Sequence, residues 1–243
     1  MTATFRSVAH TDVPVAVASW AVTLPAGIVA GDFLITQLGS DRNTATTITG
    51  TPAGWTTIPG TTNPTINAGA ADCLAFYYQK RLQAGDPELS GINPVWTFAS
   101  SSAGTAVMAA YVNTDPVTPV DAASSVGVIS GTSHATPVIA PSVNNCTIVG
   151  GVFIDKTVST SPGTYFAPPV GWAERVDAEA AVIFVESTLA DTVQTTAAPI
   201  SGTFTSADAD TSTTFIVALR SGPDAPVTGD GGGETETPVF SFD

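Results

Sequence analysis

Nowhere along the chain does an apolar pattern persist for the three or four turns that a helix of ordinary length requires. Short runs rich in valine, isoleucine, threonine and aromatic residues appear instead, each closed by glycine or proline, as in AGDFLITQLG, TPAGWTTIPG and PVWTFAS. Branched and aromatic side chains fit a pleated surface, while 22 glycines and 18 prolines in 243 residues supply turns at short intervals. A βαβ fold needs helical patterns between its strands, and these are missing. The expectation is an all-β protein: a two-sheet sandwich, jelly-roll-like, with a flexible C-terminal tail.

Candidate strands fall into two series. The first comprises Thr4–Val8, Val15–Val22, Asp32–Leu38, Thr46–Ile48, Trp55–Ile58, Asp72–Lys80, Val95–Phe98 and Thr105–Val112. The second begins after the low-hydropathy segment Ser130–Thr136. It comprises Thr147–Ile154, Ala173–Val176, Ala180–Glu186, Ile200–Thr205 and Thr213–Arg220. Each series runs in the same order: core strand, Pro-Gly-Trp turn, core strand, edge, core strand. Residues 1–220 therefore read either as one sandwich or as a degenerate two-half repeat. Residues 221–243 read as a Gly/Pro-rich linker ending in a docking peptide, VFSFD, with Val239, Phe240 and Phe242 as its subunit-docking residues.

Seven basic residues against 21 acidic ones give a formal charge of −14. No basic patch can be built from that balance, so neither nucleic acid nor an anionic membrane is an expected partner. Nothing approaches the run of about 20 apolar residues that spans a bilayer, and no secretory leader is legible at MTATFRSVAH.

Two cysteines, Cys73 and Cys146, cannot form a thiolate zinc site, and each reads as a small buried hydrophobe. No P-loop, HExxH or GxSxG pattern occurs. His134 stands beside Ser133, but neighbours on a strand point to opposite faces, so the two are not a nucleophile–base pair; GTSHATP is a loop by composition, and His134 reads as a solvated loop histidine. No catalytic residue, metal ligand or cofactor site is assigned. Calcium at the Asp208-Ala209-Asp210 turn is the minor alternative to a plain turn.

The aromatic residues divide by position. Trp55 and Trp172 each end a Pro-containing turn at the mouth of a strand, so both are expected to plug the sandwich, largely buried against the opposite sheet. Tyr165 and Phe166, in SPGTYFAPP, are the exposed pair and the candidate glycan contact.

The series TFRSVAH, LPAGIVAGDFLI, TPAGWTTI, AFYYQK, WTFAS and AAYVNTDPVTPVDAASS, with APPVGWAERVD and FIVALR in the second half, resembles a β-rich domain of phage virion proteins. Many of these are minor tail, tail-fibre or receptor-binding-associated proteins. The resemblance spans residues 4–220, and its motifs are turn glycines and core tryptophans, which specify fold better than task. It implies a non-enzymatic virion subunit, a minor tail or accessory surface protein. Such a subunit is assembled in the host cytoplasm, forms a homo-oligomer and is held by other virion structural proteins. The alternatives are a capsid decoration protein or an adhesion module recognising a host surface glycan. The chain lacks the long shaft common around such modules and adds the Gly-rich tail.

Overall fold

In the computed structural model, which describes residues 2–41, 46–66, 73–155, 165–180 and 183–222, the regular structure is strand apart from one short 3-10 helix, Pro87–Ser90. The first half supplies β1 (Thr4–Ala21), β2 (Phe33–Asp41), β3 (Ile48–Gly50), β4 (Thr56–Thr57), β5 (Thr65–Ile66), β6 (Cys73–Arg81) and β7 (Val95–Val112). The second half supplies β8 (Val120–Ala135), β9 (Cys146–Asp155), β10 (Phe166–Ala167), β11 (Ala173–Ala180), β12 (Val185–Gln194) and β13 (Thr203–Leu219). One sheet runs β1-β7-β2-β6-β4, with β3 on β7 and β5 on β6. The other runs β10-β13-β9-β12-β11, with β8 on β13. The two sheets lie face to face, so the all-β sandwich expected from the sequence is the fold.

Alternation along each strand sends one set of side chains between the sheets and the other set outward. Phe33, Ile35, Tyr77 and Tyr111 of the first sheet meet Val149, Phe153, Leu189 and Phe215 of the second in the central core. Polar ties cross the same gap: Gln37 Nε2 donates to Val152 O at 3.0 Å, and Cys73 Sγ to Phe153 O at 3.4 Å. Gly39 is required here by close approach, because a Cβ on it would lie 1.9 Å from the Phe153 ring. Gly39→Ala is expected to destabilise by about 1–3 kcal/mol through overpacking. Adding Phe153→Leu should return part of that loss, so urea melts of the single and double variants would be non-additive. Additive losses would show that the ring moves aside freely.

The outward faces are covered too. In the first half Trp20, from the end of β1, and Trp96 and Phe98, from the start of β7, share a core with Leu34, Leu38, Phe76 and Met108 on the outer side of the sheet. The long β1–β7 ribbon thus bends back over its own sheet. Register shifts mark the bend, at Val13/Val17 and Val17/Ser19. Bulges let a strand turn this corner while it keeps pairing. For this reason β1 and β7 are each continuous where the sequence read two strands.

Three further differences follow, the first two from register shifts between β8 and β13. β13 is continuous through residues 206–212, where the sequence placed a turn. β8 runs through Ser130–Thr136 as far as Ala135, although small polar residues give that stretch no apolar period; its backbone pairs with β13. β12 is Val185–Gln194 rather than Ala180–Glu186, because the apolar stretch before it turns a corner at Ile183 and Phe184 and pairs back on β11.

Both halves have one strand order. In the first, the strand β1 pairs with β7, β7 with β2 and β2 with β6; in the second, β8 pairs with β13, β13 with β9 and β9 with β12. The short segments match as well: β3 and β10 add to the last long strand, β4 and β11 to the third.

Candidate functional site

Among the described residues, three ionic constellations carry part of the charge that the fold buries. The first sits under the TPAGW turn. Lys80 on β6 points outward into apolar surroundings, with its Nζ 2.7 Å from Glu88 Oε2, 3.4 Å from Asp86 Oδ1 and 3.1 Å from Ala53 O. Glu88, on the short 3-10 helix Pro87–Ser90, accepts the Trp55 indole N–H at 2.8 Å on its other oxygen. Gly54, at φ +79°, stands over the Lys80 stem, where an added Cβ would lie 3.1 Å from Lys80 Cε. Ammonium, carboxylate and indole saturate one another, so the group fixes the turn.

The second constellation joins the two sheets. Arg175 on β11 makes a two-pronged pair with Asp191 on β12, Nε to Oδ2 at 2.9 Å and Nη2 to Oδ1 at 2.7 Å. Tyr111 from β7 donates to Asp191 Oδ2 at 3.1 Å, and Arg175 lies 4.3 Å over the Phe5 ring of β1. Burial first, and then the Asp191 charge, pushes the Tyr111 hydroxyl well above the ordinary phenol range. It is a fixed donor rather than an acid. The third is Arg6 with Asp32, 2.8 Å apart, where Asp32 also accepts Val29 N–H ahead of β2.

His134 is where the sequence reading fails most clearly. It lies on β8 rather than in a solvated loop and has 0% exposure, opposite Phe204. Its ring nitrogens lie 2.8 Å from Ser212 Oγ and 2.8 Å from Ser206 Oγ, while Ser133 points the other way and is exposed. Burial lowers its pKa to about 4 from 6.5. The folded state therefore favours the neutral ring. Its contribution is complete above pH 6.5 and disappears as pH falls from 6.5 through 4. That difference amounts to about 3 kcal/mol. Urea melts across this range should show the decline, and His134→Gln, which can still bond both serines, should flatten it. An unchanged slope in that variant would assign the acid sensitivity elsewhere.

The candidate glycan pair is also corrected. Tyr165 and Phe166 are 3% and 5% exposed. Phe166 is drawn into the sheet by pairing with Ser206 on β13, and Tyr165 donates its hydroxyl to Asp210 Oδ2 at 3.0 Å. The two rings meet edge to face, with the centroids 5.2 Å apart, and close the outer core of the second half with Phe204, Val152 and Ile154. Asp210 is thereby a buried hydrogen-bond acceptor on a strand rather than half of an exposed acidic turn, and the Asp208 side chain lies outside the described residues. Among the described residues no group of three His, Cys, Asp or Glu side chains could hold a metal ion.

Trp55 is 5% exposed, packed edge to face on Trp96 at 5.0 Å. It is buried as expected, but in the outer core of its own half instead of against the opposite sheet. Trp172 is only half-buried, resting against Gly150 and Gly202. Cys73 and Cys146 are both free and buried, the first in the central core and the second in the outer core of the second half. Burial raises both thiols, Cys146 to about 11. Val239, Phe240 and Phe242 lie outside the described residues.

Two surface features went unnoticed in the sequence. At the bend of β1, Pro14–Ser19 is exposed throughout, with Val15 at 69% and Val17 at 40%. Among the described residues this stretch lies on a strand that pairs on one side only. The sequence reads Val15–Val22 as a strand without fixing its face, and the bend turns Pro14–Ser19 outward. The second feature is an open cleft of about 270 Å³ between the first half and the segment that follows β7, lined by Phe33, Gln79, Arg81, Pro116, Val117 and Pro119. Arg81 is committed there to structure: it donates to Gly31 O, Asp115 O and Thr114 Oγ1.

The fold and its buried ionic ties define a two-sheet all-β protein. No protein-family model, no curated protein and no solved structure matches the chain. Among the described residues no helix is long and apolar enough to cross a membrane.

Proposed function

We propose that the protein is a non-enzymatic structural subunit of a phage particle, a minor tail or accessory surface protein held by protein–protein contacts and assembled in the host cytoplasm. The observation that carries this reading is the exposed apolar bend Pro14–Ala18 on the outer strand β1. Contiguous apolar residues on a strand edge favour burial against another protein. The constellations at Lys80, Asp191 and Asp32 support it from the other side, since each is engaged in holding the fold. The jelly-roll-like description belongs to the same proposal: in each sheet the last long strand inserts between the first and the second. Here, however, each sheet draws its strands from one half of the chain.

The test is the composition of purified particles. Mass spectrometry should find the protein in fixed stoichiometry, and fractionation into heads and tails would place it. Its absence from particles would defeat the reading. Val15→Asp with Val17→Asp should leave the melting temperature nearly unchanged while lowering incorporation. The C-terminal Val239, Phe240 and Phe242 are retained as a second docking element: truncation after Thr237 should likewise reduce occupancy without affecting the melt. The glycan-adhesion alternative loses its aromatic platform with the burial of Tyr165 and Phe166 and is not carried further.

A further inference from the structure

We infer that the chain is two copies of one four-stranded module, fused through residues 113–119, and that the inner face of each module is an interaction surface shaped for a second module of the same kind. Shared strand order is the first observation, but independent sandwiches could share that. The irregularities are more telling. In the first half residues 17–19 of β1 face residues 97–102 of β7, and in the second half residues 131–133 of β8 face residues 205–210 of β13. The same number of extra residues is thus inserted in the same strand at the same corner. Immediately beyond it come the aromatic pairs Trp20↔Trp96 and His134↔Phe204, each entering its half's outer core. The turns PAGW and PVGW lead into β4 and β11, which both add to the third long strand.

Each half also has its own outer core, built without residues from the other half. Among the described residues the two sheets share no backbone pairing; what they share is the central core, mainly apolar and crossed by the Gln37 and Tyr111 hydrogen bonds. This is the organisation of two modules associated through complementary faces rather than of one sheet folded over. Their connection is short and fixed, with the Asp115 carboxylate accepting Val117 and Thr118 N–H. At the other end Ala3 N donates to Ser221 Oγ at 3.1 Å, and Thr114 bridges to Ser221. The start of the first module and the end of the second therefore meet beside the connection, so either junction could carry the covalent link.

The inference stands apart from the virion proposal, and neither fails with the other. Its first test is a circular permutant of the full chain that begins at Val117, joins Asp243 to Met1 and ends at Pro116. The permutant is expected to reproduce the near-ultraviolet circular dichroism and the urea midpoint of the parent within experimental error. The second test uses the native order with a protease site inserted between Pro116 and Val117, cut after folding. The fragments should co-elute as a 1:1 pair, separate in urea and recover the native spectrum when mixed. Fragment 1–116 refolded alone should keep its far-ultraviolet strand signal and self-associate, because its inner face accepts a second module. A cleaved protein that unfolds, or a lone fragment with no strand signal, would overturn the inference even if the permutant failed for an unrelated reason.

Discussion

Trp55→Ala should lower stability by about 3–5 kcal/mol, the range for a fully buried large aromatic. Trp172→Ala should lower it by clearly less. The two tryptophans occupy the same place in matching turns, so sequence alone predicts equal effects. Their surroundings differ. Trp55 is enclosed between Trp96 and the Lys80–Glu88 pair, and its removal deprives Glu88 of an indole donor as well as opening a cavity. Trp172 keeps one side in water, so part of its transfer free energy is never gained. Urea unfolding of both variants, with unchanged slope as the control for two-state behaviour, reads the difference directly. Equal losses would mean that exposure does not set the ranking.

The second large effect concerns the ion pair beneath that turn. Lys80→Met should cost about 3–5 kcal/mol, because it leaves the Glu88 carboxylate buried without its cation. Lys80→Met combined with Glu88→Gln should restore most of that. The amide oxygen still accepts the Trp55 N–H, and no uncompensated charge remains. A double variant as unstable as the single one would show that the pair adds net stability beyond mutual neutralisation. The two experiments share residues in contact, so their effects should not add.

These residues also show what could be read in advance. Trp55 was legible as a plug because a large ring following a Pro-Gly turn has few places to go except the end of a core. Its ionic support was not legible. Lys80 lies between Gln79 and Arg81 at the polar end of a strand, Glu88 in a polar loop, and nothing in their spacing announces that the fold brings them within 2.7 Å. His134 and Tyr165 went wrong for a related reason. Both sit in segments that are glycine-, serine- or proline-rich, where local composition favours solvent. Pairing to the long, bent β13 places both in the outer core of the second half.

The sequence by itself determined the class: short β-branched runs with frequent Gly and Pro exclude a helical fold, and the near-continuous apolar runs of β2, β6, β7, β9 and β13 mark strands that must be covered. It also set the acidic balance of −14 and the like order of motifs in the two halves. Those properties are local, fixed by side-chain shape, charge and the period of two along a strand. Only the tertiary structure decided which side of each sheet meets its partner, where β1 and β7 bend, and which polar residues end up inside. Such outcomes depend on bulges and on contacts between residues far apart in the chain. A corner made by a few extra residues in one strand redirects everything beyond it, turning Val15 and Val17 outward and His134 inward, without leaving any mark in local composition.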